Sequence, residues 1–109
     1  MREALEKLLA AGREDALLRF SLGNACLKDG DPAAAAGHFR RAVELDPGYS
    51  AAWKMLGRSL ESAGDLAGAA GAWSRGIEAA QGRGDVQAGK EMTVFLKRVR
   101  RKQQQGPGP

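Results

Sequence analysis

The chain repeats itself. Sliding its 109 residues along themselves by 34 positions lays residues 16–49 on residues 50–83 without a gap. Eleven aligned pairs are identical, among them Leu22/Leu56, Gly23/Gly57, Gly30/Gly64, Asp31/Asp65 and Ala35/Ala69. Phe39 falls on Trp73, and Val43 on Ile77. A period of this length describes one supersecondary unit that cannot bury its apolar face alone and must stack on a neighbour.

The physics of one unit is that of a helical hairpin. Leu18, Leu22, Ala25 and Cys26 recur at helical spacing and stop before Gly30. Asp31 can cap the next helix, and Pro32 sits where its missing N–H costs nothing. Ala35, Phe39, Ala42 and Val43 then form a second apolar stripe, which Pro47 ends. The second unit repeats the pattern with Trp53, Leu56 and Leu60, then Gly64-Asp65, then Ala69, Trp73 and Ile77. Gly23 and Gly57 in the first helices, with Ala35, Ala42, Ala69 and Gly76 in the second, let paired helices approach closely. Phe39 and Trp73 fill the space that remains.

At these residues the chain resembles the tetratricopeptide repeat family, whose signature runs W-x2-L-G-x2-Y, then A-x3-F, then P. The second unit reads Trp53-x2-Leu56-Gly57-x2-Leu60, then Ala69-x3-Trp73. The first reads Leu22-Gly23-x2-Cys26, then Ala35-x3-Phe39, then Pro47. Arg19 replaces the signature Trp, Cys26 and Leu60 replace the Tyr, and Gln81 replaces the second Pro. Without that Pro the second unit's last helix can run longer. The resemblance implies an all-α fold, an α-α superhelix of antiparallel helix hairpins with about six helices.

The expected organisation is a single domain over residues 1–102. It comprises an N-terminal flanking helix (3–11), repeat one (16–49), repeat two (50–83) and a C-terminal capping helix (85–102). Residues 3–11 take the register of a second helix, because Leu5 and Leu8 lie one period before Phe39 and Ala42. Residues 85–102 carry a new stripe of Ala88, Met92, Phe95, Leu96 and Val99, but Lys90 and Glu91 stand where Leu-Gly should recur. This is the pattern of a cap rather than a third repeat. Residues 103–109 hold no apolar side chain and end Gly-Pro-Gly-Pro, so a disordered tail is expected there. Two full repeats are fewer than the three such arrays usually need. Gly68, Gly71 and Gly76 weaken the second unit further, each by roughly 1 kcal/mol against Ala in an exposed helix interior. The expectation is a marginal monomer or a weak homodimer that stacks ends.

Charge narrows the function classes. Residues 1–89 carry 11 Lys and Arg against 12 Asp and Glu, whereas residues 90–109 carry six basic residues against Glu91 alone. The net charge of +4 therefore describes a near-neutral body with a basic C-terminal helix. No apolar run approaches the ~18 residues of a membrane helix. The first residues carry Arg2, Glu3, Glu6 and Lys7 and so lack the core of a signal peptide. A cytoplasmic, bacterial-type protein without membrane partners is expected from the resemblance.

No constellation supports catalysis, a cofactor or a metal. Gly84-x4-Gly89-Lys90 opens like a phosphate loop, but Glu91 stands where the magnesium-binding hydroxyl belongs and no strand precedes it. Cys26, the one cysteine, lies on an apolar stripe, where burial makes a thiol inert. His38, the one histidine, has no residue in sight to orient it as a base. The chain is expected not to be an enzyme.

The resemblance implies protein–protein interaction, with the first helices of successive repeats lining a concave groove for a peptide or helix of a partner. The groove positions include Phe20 and Asn24 from the first unit and Lys54, Met55 and Arg58 from the second. Phe20 should lie beside Lys54, and Asn24 beside Arg58. Such a surface suits an amphipathic segment with acidic groups. Some family members clamp a C-terminal carboxylate with five Lys, Asn and Arg residues. Only Asn24 matches that set here, so this ligand is not carried over. The alternative is nucleic-acid or anionic-surface binding through Lys97, Arg98, Arg100, Arg101 and Lys102. Base stacking would need aromatics among them, and only Phe95 is near.

Overall fold

The computed structural model describes residues 1–105. Those residues form six helices and no strand: α1 (Arg2–Ala10), α2 (Ala16–Lys28), α3 (Pro32–Leu45), α4 (Ser50–Ser62), α5 (Leu66–Arg83) and α6 (Val86–Gln105). The all-α superhelix of antiparallel hairpins follows, with α2–α3 and α4–α5 as the two repeats.

Local chemistry sets the ends of these helices. Asp15, Asp31, Asp65 and Asp85 each precede a helix and accept the backbone N–H three residues on, at 2.7–3.2 Å. Each carboxylate satisfies one of the otherwise orphaned donors of the first turn. Between the hairpin helices, Gly30 and Gly64 take positive φ (73° and 89°), a backbone region that costs other residues energy. There Asp31 N–H reaches back to the carbonyl of Cys26, and Asp65 N–H to that of Leu60, closing the helix ends.

The core is built at two close approaches. Gly23 of α2 lies under the Phe39 ring of α3, and Gly57 of α4 lies under the Trp73 indole of α5. A Cβ at either glycine would collide with the ring. Trp73 is 1% exposed, and its Nε1–H donates to the carbonyl of Lys54 at 3.1 Å. Gly76 is similarly pressed by Met92 and Trp53. Of the three glycines expected to weaken the second unit, Gly76 is thus required by packing. A Cβ at Gly68 would meet the capping Asp65 carboxylate, and only Gly71 faces open space.

The C-terminal half departs from a strict 34-residue step. α5 runs for 18 residues against 14 in α3, because Gln81 stands where Pro47 ends the first unit. As a result α2, α4 and α6 start at residues 16, 50 and 86, so the second step is 36 residues. At that step Ala52, Leu56 and Leu60 map onto Ala88, Met92 and Leu96, all buried. α6 is therefore placed as the first helix of a third unit as well as covering the second. It also continues to Gln105, into the segment expected to be a tail; residues 106–109 lie outside the described residues.

Candidate functional site

α6 lies along α4 and engages the charges of its face. Lys54 Nζ sits 3.3 Å from a Glu91 carboxylate oxygen, and Lys102 Nζ sits 3.1 Å from Glu61. Between these ion pairs the Arg58 guanidinium stands over the Phe95 ring, 6.0 Å from its centre. Phe95 in turn packs against Trp73 at 5.3 Å. At the helix starts, Ser50 Oγ donates to Asp85 at 2.6 Å.

The five expected groove residues have different environments. Phe20 is half-buried, edge-on to Phe39 at 5.7 Å and tilted on Tyr49 at 5.0 Å, so it belongs to the wall between α2, α3 and the start of α4. Burial also raises the Tyr49 phenol above its ordinary value. Met55 is half-buried against the core. Lys54 is neutralised by Glu91, whereas Arg58 is exposed. Asn24 lines a cavity of about 410 Å³ with Ser21 and Lys28 of α2, Arg2 and Leu5 of α1, and Met1 just before α1. Leu17, Ser21, Asn24 and Lys28 form one stripe on α2, and Leu17 is 60% exposed. The matching stripe on α4 is Ala51, Met55, Arg58 and Ser62.

Glu91, Phe95 and Lys102 of α6 also shape this surface, Lys102 by pairing with Glu61 of α4. Their part in it was hidden by the 36-residue step, which disguises α6 as a helix out of register. Of the basic residues on α6, Arg98 also lies over Phe95 at 5.4 Å and Lys102 is paired with Glu61. Lys97, Arg100 and Arg101 are exposed.

The two residues weighed for catalysis sit in structural roles. Cys26 is fully buried, and burial pushes its thiol above the ordinary value. His38 is half-buried with Nδ1 3.1 Å from an Arg19 guanidinium nitrogen, and burial, assisted by that cation, lowers its pKa. Among the described residues no cluster of three His, Cys, Asp or Glu could hold a metal ion. No helix among them is long and apolar enough to cross a membrane.

Acid should loosen this arrangement. The hydrogen bond from Ser50 and the Ala88 N–H hold Asp85 below the usual carboxylate range, Arg13 does the same for Asp15, and Arg19 for Glu14. Each folded pKa lies below its unfolded value. The stabilisation is complete above the ordinary carboxylate range and is lost as pH falls through the folded pKa. Denaturant midpoints measured from neutrality into acid should fall, and Asp85→Asn should flatten part of that fall.

A stack of helix hairpins with one face of its first helices open defines a helical-repeat scaffold. The chain belongs to the tetratricopeptide repeat family: the family model described as "Tetratricopeptide repeat" matches residues 2–50 and 27–86. It is 55% identical over 101 residues to the TPR repeat-containing protein PA0015 of Pseudomonas aeruginosa, covering 93% of this chain and 96% of that one. The solution structure of protein BPP2914 from Bordetella parapertussis is 48% identical, with a TM-score of 0.78 over 94% of this chain and 89% of that one. The Sgt2 TPR domain from Aspergillus fumigatus is 27% identical, with a TM-score of 0.81 over 99% of this chain and 72% of that one. Domains of this family are generally protein-interaction modules, and its members are generally non-enzymatic scaffolds.

Proposed function

We infer that this chain is a non-enzymatic scaffold that holds a peptide or helix of a partner protein against the open face of α2 and α4. The observation that carries this reading is the pair of matching stripes, Leu17-Ser21-Asn24-Lys28 and Ala51-Met55-Arg58-Ser62, displayed one repeat apart. Leu17 and Met55 supply apolar contact, Asn24 a donor and acceptor, and Arg58 an exposed cation. Phe20 and Lys54 act behind this surface, Phe20 by packing on Tyr49 and Lys54 by tying Glu91 to α4. The occupant that fits is an amphipathic segment bearing acidic groups.

Selection of a random-peptide library on the wild-type chain should enrich apolar, acidic sequences. Arg58→Glu should weaken the selected peptides by about tenfold or more while leaving thermal unfolding in place. Unchanged affinity would remove this surface from consideration. Lys54→Glu is the poorer probe, because it would set a carboxylate against Glu91 and disturb the seat of α6.

A further inference from the structure

Two cavities lie at opposite ends of the stack, and each has the outline of a missing helix. At the C-terminal end, Ile77 and Ala80 of α5 with Gly89, Thr93 and Val94 of α6 line a cavity of about 540 Å³. Gly89 and Thr93 stand 36 residues after Trp53 and Gly57, the positions on α4 that receive α5. This cavity is the place of a second-type helix paired with α6. Its rim is apolar and open, with Val86 65% and Val94 55% exposed.

The N-terminal cavity asks for the opposite type. Ser21, Ala25 and Lys28 of α2 line it. Their counterparts on α6, at the successive steps of 34 and 36 residues, are Glu91, Phe95 and Arg98. Glu91 and Phe95 are the residues that meet the preceding first helix, α4. The missing element is therefore a first-type helix packed on α1 and α2. α1 and its N-cap supply Leu5, Leu8 and Met1, one period before the buried Phe39, Ala42 and Ala35, yet Met1 is 91% and Leu8 41% exposed.

Each end presents the helix that the other end lacks. We propose that copies of this chain stack head to tail, α1 of one copy entering the C-terminal cavity of the next while α6 of that copy enters the N-terminal cavity of the first. One contact fills both cavities and completes a third hairpin from α6 and the neighbour's α1; it also covers Ser21, Asn24 and Lys28 of the open stripe on α2, so stacking and peptide binding there compete. The seam continues the packing already made between α5 and α6 within the chain. Charge favours the same pairing. α6 brings Lys90 and Lys97 on its open side, and the N-terminal end holds Glu3, Glu6, Asp29 and Asp31 against Arg2, Lys7 and Lys28, with Arg2 already bridged to the last three acids, a small acidic excess. The contact is heterologous, so it propagates into chains unless it closes into a ring.

Two variants separate this contact from a symmetric one. Leu8→Glu should block the head and Val94→Glu the tail, each raising the concentration needed for association by about tenfold or more. In sedimentation velocity from micromolar to millimolar, the wild type should grow with concentration and each variant alone should stay monomeric at concentrations where the wild type has begun to grow. An equimolar mixture should stop at a one-to-one dimer, because one intact head and one intact tail remain. A wild type that stays monomeric at millimolar concentration overturns the proposal. So does a mixture that fails to pair while the wild type associates. Circular dichroism verifies the fold of both variants. A spin label on Leu8→Cys, in a Cys26→Ser background, reads the contact without the blocking charges: it should broaden the amides of Val86, Gly89 and Thr93 of unlabelled copies. Absence of that broadening in associated samples also overturns the proposal.

Discussion

Trp73→Ala should lower the unfolding free energy by about 3–5 kcal/mol, the range for emptying a fully buried aromatic site. The indole makes three contacts on two other helices: Gly57 of α4 beneath it, the carbonyl of Lys54, also of α4, at its Nε1 and Phe95 of α6 at 5.3 Å. Its removal leaves a void between two rigid helices and uncouples α6 from the second hairpin. A domain of this size has roughly 5–15 kcal/mol in total, so the loss is a large fraction of it and the denaturant midpoint should fall steeply. Trp73→Phe, which copies the first repeat's Phe39, should retain most of that stability. Denaturant titrations followed by circular dichroism measure both, with Trp53 left as a fluorescence probe. Equal losses for Phe and Ala would show that ring packing is not what holds the hairpin.

Gly57→Val should destabilise by about 3 kcal/mol, since overpacking a tight core costs roughly 1–3 kcal/mol or more. Its branched carbons would have to occupy the space of the Trp73 ring, which burial and the Lys54 hydrogen bond hold in place. Helix propensity predicts the reverse sign, because Gly is among the poorest helix formers. Gly71→Ala isolates that term: a Cβ there meets nothing within 4 Å, so the variant should gain up to about 1 kcal/mol. Opposite signs at the two glycines, read as shifts in denaturant midpoint at constant slope, establish close approach as the reason for Gly57. Stabilisation at both would refute it.

Much of this fold was legible because the information is local and repeated. Gly-Asp at 30–31 and again at 64–65 announced turn and cap together, and the aromatic at 39 and 73 lay opposite Gly23 and Gly57 in each hairpin. Gln81 in place of a proline signalled the longer α5, which follows from the chemistry of one residue. The functional face was legible only as a set of positions. Phe20 and Lys54 satisfy the spacing of groove residues, yet each has a partner on an element distant in sequence: Tyr49 at the start of α4 for one, Glu91 on α6 for the other. Spacing along one helix does not reveal what lies across from it.

Period, caps and small-to-aromatic pairing followed from the amino-acid order, because each acts within a single hairpin through bonds and contacts close along the chain. The rank of α6 as a third first-type helix, the neutralisation of Lys54 and the complementary cavities at the two ends came only with the tertiary structure. Those properties depend on the two extra residues of the second step and on which faces of the stack are covered. The rotation between successive hairpins decides that, and it is a property of packed surfaces rather than of any one segment.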